Sequence, residues 1–239
     1  MLCMGEISPQ LADNEAWVDQ TFEKCDDILH RQVYLGQGRQ EGLLVYVEVA
    51  VSNLMLEEHV IGLSDVQPLK SYEEGKAALL AGNGLLFLDG DTNCYKISSK
   101  GYPGLGVKKA ENEKVIRGSQ EAFTESEKIN VALIRKRLRD SRMKVEEQTV
   151  GVRSHTMTAL VYMEDLIYQG LLTTMKQQLQ RYEIDGILDS GMLEQLSEKH
   201  WLSPFPQFQT TERPDRAAAA VLEGRIVLVT DHSPQVLIL

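Results

Sequence analysis

The chain has 239 residues, 43% of them hydrophobic and 25% charged. That is enough apolar material for one large domain or two small ones, and too much for a disordered chain. A net charge of -10 argues against nonspecific nucleic-acid binding. Cys3, Cys25 and Cys94 lie far apart without metal-ligand spacing, which gives no disulfide framework and suits a reducing compartment.

The N-terminus has no basic segment followed by an apolar core, so no signal peptide is expected. No apolar run approaches the ~20 residues that cross a bilayer. Ser8-Pro9 reads as a cap with proline at the first helical position. Leu11, Trp17, Val18, Phe22 and Cys25 then carry a helix to about Leu29. Gly36 and Gly38 break the chain, and Gly42 to Val51 is a β-rich apolar run typical of a buried strand. Leu54 to Leu63 reads as a helix. Ser71 with Glu74 forms a capping box that opens a second one, Tyr72 to Ala81. Gly82-Asn83-Gly84 stops it, and strands at Leu85 to Leu88 and Cys94 to Ile97 flank an Asp89-Gly90 turn.

Residues 98–114 are rich in glycine and charge and divide the chain into subdomains 1–112 and 113–239. Gly101, Gly104 and Gly106 lack the strand, helix and Lys-Ser/Thr that a phosphate loop requires, so this stretch reads as a linker or hairpin. Thr124 with Glu127 predicts a capping box and a helix to about Arg139. Its end is strongly basic: Arg135, Lys136, Arg137 and Arg139, then Arg142 and Lys144. Two readings stay open for these cations, a solvated helix end complementing the dipole or a surface for an anionic lipid or acidic subunit. Strands follow at Lys144 to Val152 and Thr158 to Glu164, then a helix from Tyr168 to Tyr182. Ser190 starts a short helix over Met192 to Lys199.

Ser203 to Arg216 (SPFPQFQTTERPDR) places three prolines, two phenylalanines and a charge cluster in one connection. Proline lacks an N–H and restricts its predecessor, so neither a helix nor a central strand fits here. Pro204 and Pro206 are expected to hold Phe205 and Phe208 in an extended arm, ready to pack at the lobe boundary or on a neighbouring subunit. Glu212, Arg213, Asp215 and Arg216 are expected to clamp the loop through charge-assisted pairs, with Arg117 as a further partner. A helix over 215–223 and strands at Ile226 to Thr230 and Val236 to Leu239 complete the chain, whose final apolar run reads as a piece cut from something longer.

The chain repeats itself. Leu43 to Glu48 lines up with Ala159 to Glu164, Leu79 to Gly82 with Val221 to Gly224, and Leu85 to Asp89 with Val227 to Asp231. The expected architecture is therefore α/β: two similar subdomains, each a small mixed sheet flanked by helices, with a cleft between them. The five histidines stand singly, with no partner at helical spacing for a metal, and no nucleophile elbow, kinase set or paired-cysteine motif appears. Neither catalysis nor a cofactor is expected.

Several segments together resemble the A subunit of the spore germinant receptors, the GerA family: Val115-Ile116-Arg117-Gly118, Phe123 to Ser126, Asn130 to Arg135, Asp185 to Gly191, Ser203 to Gln207, Thr211 to Arg216 and Glu223-Gly224-Arg225. The resemblance covers Val115 to Leu239 well and residues 1–114 in outline. It implies an N-terminal region on the cytoplasmic face of the inner spore membrane, built of two α/β subdomains. A membrane-embedded part would follow beyond Leu239. It also implies B and C subunits as partners, assembly with other A subunits, and a role in coupling nutrient sensing to ion-channel opening. The interface or binding residues it suggests are Arg117, Gly118, Phe205, Pro206, Gln207, Glu212, Arg213, Asp215, Arg216 and Arg225. Ser119-Gln120 and Gln235 depart from the family's usual Pro-Arg or Pro-Lys and aromatic residues. A rival expectation is a domain that itself holds a small nutrient in the inter-lobe cleft.

Overall fold

The computed structural model describes residues 5–36, 40–49, 66–98, 110, 112–198 and 206–239. The expected helix over Leu54 to Leu63, together with Pro204 and Phe205, lies outside these residues. The chain divides into two compact units, Met1–Pro103 with Arg139–Ser141, and Gly104–Leu138 with Arg142–Leu239.

In the first unit α1 (Leu11–Thr21) precedes the hairpin β1 (Ile28–Leu35) and β2 (Gln40–Val47). Next come β3 (Val66–Leu69), α2 (Tyr72–Leu80), β4 (Gly84–Leu88) and β5 (Cys94–Ile97). The strands form one five-stranded sheet in the order β1-β2-β4-β5-β3. The expected mixed pairing gives way to antiparallel pairing throughout. Leu44, Val45, Leu79, Leu85 and Phe87 are buried at its centre. α1 is shorter than expected because Lys24 takes a positive φ of 60° in the turn after Phe22. No glycine marks that turn, so β1 is hidden behind a helical-looking pattern. β3 was also unforeseen, since Pro68 cannot donate to a ladder and is tolerated only at an edge, which is where β3 lies.

The second unit holds α3 (Glu127–Arg135), β6 (Met143–Val150), β7 (Thr156–Met163), α4 (Gln169–Gln180) and α5 (Ser190–Ser197). β8 (Gln209–Thr211), α6 (Pro214–Leu222), β9 (Val227–Thr230) and β10 (Val236–Ile238) follow. Its antiparallel sheet runs β6-β7-β9-β10-β8. One face packs against α3 and α6 through Val131, Ile134, Val161, Val221 and Val229. The other packs against α4 and α5 through Leu160, Leu172, Met175, Leu193 and Leu228.

The two sheet orders match strand for strand, and the repeat seen in the sequence holds to the residue. Leu43 pairs with Phe87 and Leu44 with Leu86; at the aligned positions Ala159 pairs with Val229 and Leu160 with Leu228. The Leu69–Cys94 pair becomes Thr211–Val236 at the same offset that carries α2 onto α6. Backbone turns repeat as well. Gly90 and His232 both adopt positive φ, 81° and 62°, and their N–H groups donate to Pro9 and Glu125 at 2.8 and 2.7 Å. Each first helix carries a fully buried asparagine, Asn14 or Asn130. Its Nδ2 donates to the carbonyl of Ser8 or Thr124 at 2.9 and 2.7 Å. A buried amide must find partners, and here it ties the segment entering the helix to the helix itself.

Candidate latch at the entry to the second unit

The aligned repeat acts as an internal control for the cluster at residues 212–216. In the first unit the equivalent positions are Lys70, Ser71, Tyr72, Glu73 and Glu74. Ser71 Oγ accepts from the Glu74 N–H at 3.3 Å, and the Glu74 carboxylate accepts from the Lys70 N–H at 3.0 Å. That is a self-contained helix start. In the second unit the N-cap is Arg213, which caps with no side-chain bond, and Pro214 occupies the first turn. Local capping has been given up there, and the side chains are turned to another task.

That task is gripping the chain where it enters the unit. Glu212, only 8% exposed, accepts from the backbone N–H groups of Asn112 and Glu113, both at 2.6 Å. Glu113 reciprocates: its carboxylate accepts from the Glu212 N–H at 3.0 Å and from Thr211 Oγ1 at 2.5 Å. Arg216 donates to the same Glu113 carboxylate. Arg213 forks onto Asp215 through Nε at 3.1 Å and Nη2 at 2.5 Å, the bidentate geometry that lysine cannot copy. The Glu212 carbonyl accepts from the Phe123 N–H at 2.8 Å. Beside this latch lies a small pocket of about 220 Å³ lined by Ala110, Glu113, Lys114, Val115 and Gln120.

Electrostatics follow the geometry. Burial works against the ionised Glu113 carboxyl, but bonds from Thr211, the Glu212 N–H and Arg216 outweigh it and hold Glu113 below its ordinary value. Burial is likewise outweighed at Asp215, chiefly by Arg213 and more weakly by Arg137. Arg213 is raised in turn, mainly by its bonds to Asp215.

The expected clamp is therefore present for Glu212, Arg213, Asp215 and Arg216, with a different partner from the one foreseen. Arg117 is exposed, in the same loop as the fully exposed Ile116 and a Gly118 with φ of 126°. Among the described residues, no hydrogen bond or ion pair joins it to the cluster. Glu113 takes that place. Phe208 is not part of a free arm, because it is 7% exposed and packs in the core beneath α4 and α5. Pro206 is exposed and Gln207 half-buried, and Arg225 Nη1 donates to Gln209 at 3.1 Å beside β8.

The six basic residues do not form one exposed face. α3 ends at Arg135, whose side chain is fully buried and donates to the Met143 carbonyl at 3.0 Å. Lys144, 4% exposed, faces Glu164 at 3.4 Å. Lys136 and Arg137 both bind Glu121, at 2.9 and 2.5 Å, and Arg142 binds Asp165 at 2.7 Å. Arg139 is exposed, and it too has partners in the structure. The expected capping box at Thr124 is also replaced: Thr124 Oγ1 accepts from the Ser126 N–H at 3.3 Å, and the Glu127 N–H reaches Asp231 at 3.0 Å.

Among the described residues no group of three or more His, Cys, Asp or Glu could hold a metal ion. Burial pushes the Cys94 thiol up to about 12, far from a nucleophile's range. No described helix is long and apolar enough to cross a membrane.

Comparison with known proteins agrees with this architecture. Uncharacterized membrane protein YfkQ of Bacillus subtilis (strain 168) is 32% identical, over 97% of this chain and 49% of that protein. Spore germination protein KA of the same organism is 30% identical, over 97% of this chain and 47% of its own length. The chain thus spans about half the length of the curated relatives it matches. The crystal structure of the N-terminal domain of the A subunit of the Bacillus megaterium spore germinant receptor GerK3 superposes with a TM-score of 0.75 at 24% identity. It covers 99% of this chain and 96% of that one, which establishes the fold. Residues 55–239 match the family described as Bacillus/Clostridium GerA spore germination protein. On this match and the relatives' identities, the chain belongs to the GerA family of spore germination proteins.

Proposed function

We propose that the chain is the N-terminal domain of a germinant-receptor A subunit, that it sits at the cytoplasmic face of the inner spore membrane, and that it couples nutrient sensing to ion-channel opening. B and C subunits and other A subunits are its partners in this reading, and the rest of the protein supplies the membrane part. The observation that carries the proposal is the reciprocal Glu113–Glu212 grip. Equivalent residues in the first unit make an ordinary helix start, so the sheet and helix can form without it. Charge-assisted bonds to backbone N–H groups are strong yet breakable, which suits a joint that transmits force or a change of state. The gripped residues, Asn112 and Glu113, lie where the chain enters the second of the two subdomains, 1–112 and 113–239, that this reading assigns. The adjoining loop, with Ile116 fully exposed beside Arg117 and Gly118, is the surface we assign to a partner subunit. A large exposed apolar side chain in such a place favours protein contact.

Spores carrying the full-length gene test this. Arg213→Ala and Glu212→Ala should slow the response to nutrient at unchanged receptor abundance, and Arg213→Lys should fall between them and the wild type. A wild-type response in all three variants would overturn the coupling role.

A further inference from the structure

Across the sheet of the second unit, Gln148 of β6 pairs with Thr158 of β7, and Thr158 pairs with Thr230 of β9. The three side chains share the face that carries Val150, Leu160 and Leu228. Both threonines are fully buried. Gln148 Nε2, Thr158 Oγ1 and Thr230 Oγ1 are each shut off from the surface, and among the described residues no group bonds to any of them. Leaving even one such atom unsatisfied is costly, and three of them on one cross-strand row call for a shared explanation.

The aligned row in the first unit is Val33, Gly42 and Leu88. The fold itself therefore makes no demand for polar groups at these positions. The positions that flank the row are polar too. Thr156, two residues along the same face, donates to the Ile187 carbonyl. Ser190, at the start of α5, bonds Ser233 through their hydroxyls at 2.6 Å. The segment from Ile187 to Ser190 is thus fastened at both ends, to Thr156 two residues before Thr158 and to Ser233 three residues after Thr230.

We infer that this row is a hydration site, holding at least one buried water that bridges Gln148, Thr158 and Thr230. The chemistry selects the occupant. All three groups are neutral, so neither an ion nor a charged metabolite is favoured. Directly opposed residues in an antiparallel pair have Cβ atoms about 4.5–5.5 Å apart, a span that one water closes with two ordinary hydrogen bonds. Buried waters typically make about three bonds to groups of this kind. The amide supplies a donor, and the hydroxyls donate or accept as the water requires. The second unit thereby acquires a hydrated joint at this row, where the aligned positions of the first unit are Val33, Gly42 and Leu88.

A crystal structure of the 239-residue chain at about 1.8 Å, with thermal unfolding of Thr158→Val and Thr230→Val, tests the site. Bridging water predicts a density peak within hydrogen-bonding distance of at least two of the three atoms. It also predicts that each valine lowers Tm by about 2–4 °C, because the hydroxyl's loss strands the water and its remaining partners. A map without such a peak overturns the site. So does a rise of Tm in both variants, the result expected when an orphaned hydroxyl is replaced by a methyl of the same shape. The map of the unsubstituted chain decides the matter should either variant fail to fold.

Discussion

Glu113, which no motif singles out, shares the centre of the candidate site with Glu212. Its carboxylate collects Thr211, the Glu212 N–H and Arg216, while its own N–H is held by Glu212. Because these partners keep its folded pKa below the ordinary 4.5, its contribution is present above that value. It is lost as the pH falls through the lowered folded pKa. Asp215, held below 3.8, and Glu121, held below 4.5 against burial by Lys136 and Arg137, act in the same sense. Stability should therefore decline with acidification below about pH 4.5. Glu113→Gln keeps the shape but not the charge. It should cost about 1–3 kcal/mol near neutral pH and flatten the acid limb of a Tm-versus-pH curve. An acid limb as steep as the wild type's would show that Glu113 is not ionised in the latch. Nothing in the sequence singles Glu113 out, since it sits in a run of charges that reads as linker; its partner lies about a hundred residues away.

Elements that depend on local chemistry were legible, and those that depend on distant partners were not. Ser71 with Glu74, Pro214 at a helix start and the Asp89-Gly90 turn each state their role within four residues, and each forms as expected. β3 and β8 were invisible because both are short edge strands beside proline-bearing segments, and only pairing with β5 and β10 makes them strands. α3 illustrates the opposite error. Its apolar stripe and basic tail suggested a helix to Arg139, but Arg135 turns inward to the Met143 carbonyl and the helix stops there. The buried asparagines were within reach of the repeat: extending its first alignment upstream places Asn14 on Asn130 and Ser8 on Thr124. Their role can be measured. Asn130 bonds the Thr124 N–H at 2.7 Å and the Thr124 carbonyl at 2.7 Å, so Asn130→Ala strands both. We expect a loss of about 2–4 kcal/mol in urea unfolding, at the upper end of hydrogen-bond deletions. A change under about 0.5 kcal/mol, the usual scale of a neutral surface substitution, would mean the amide is dispensable.

Two units share one strand order and differ at the helix start of residues 212–216, in the polar row of the second sheet, and in the helices α4 and α5. Charge is asymmetric too: residues 1–103 hold 16 acidic and 7 basic side chains, and residues 104–239 hold 19 and 18. The basic cluster of the second unit is spent on Glu121, Glu164 and Asp165. Paired surface cations contribute little to long-range attraction. Co-sedimentation with anionic vesicles should accordingly match that with neutral vesicles at physiological salt, where screening reaches about 8 Å. A strong anionic preference, removed by Arg137→Glu with Arg139→Glu, would restore a lipid-facing role to this region. The most direct measurement of the latch is amide hydrogen exchange at Asn112 and Glu113 in the 239-residue chain. Both N–H groups end on one carboxylate, so Glu212→Ala should speed their exchange by about tenfold or more, the factor that corresponds to losing one charge-assisted bond. Protection across β9 and α6 should persist. Unchanged exchange at both amides would contradict the account, because the entering chain would then be held by something other than Glu212.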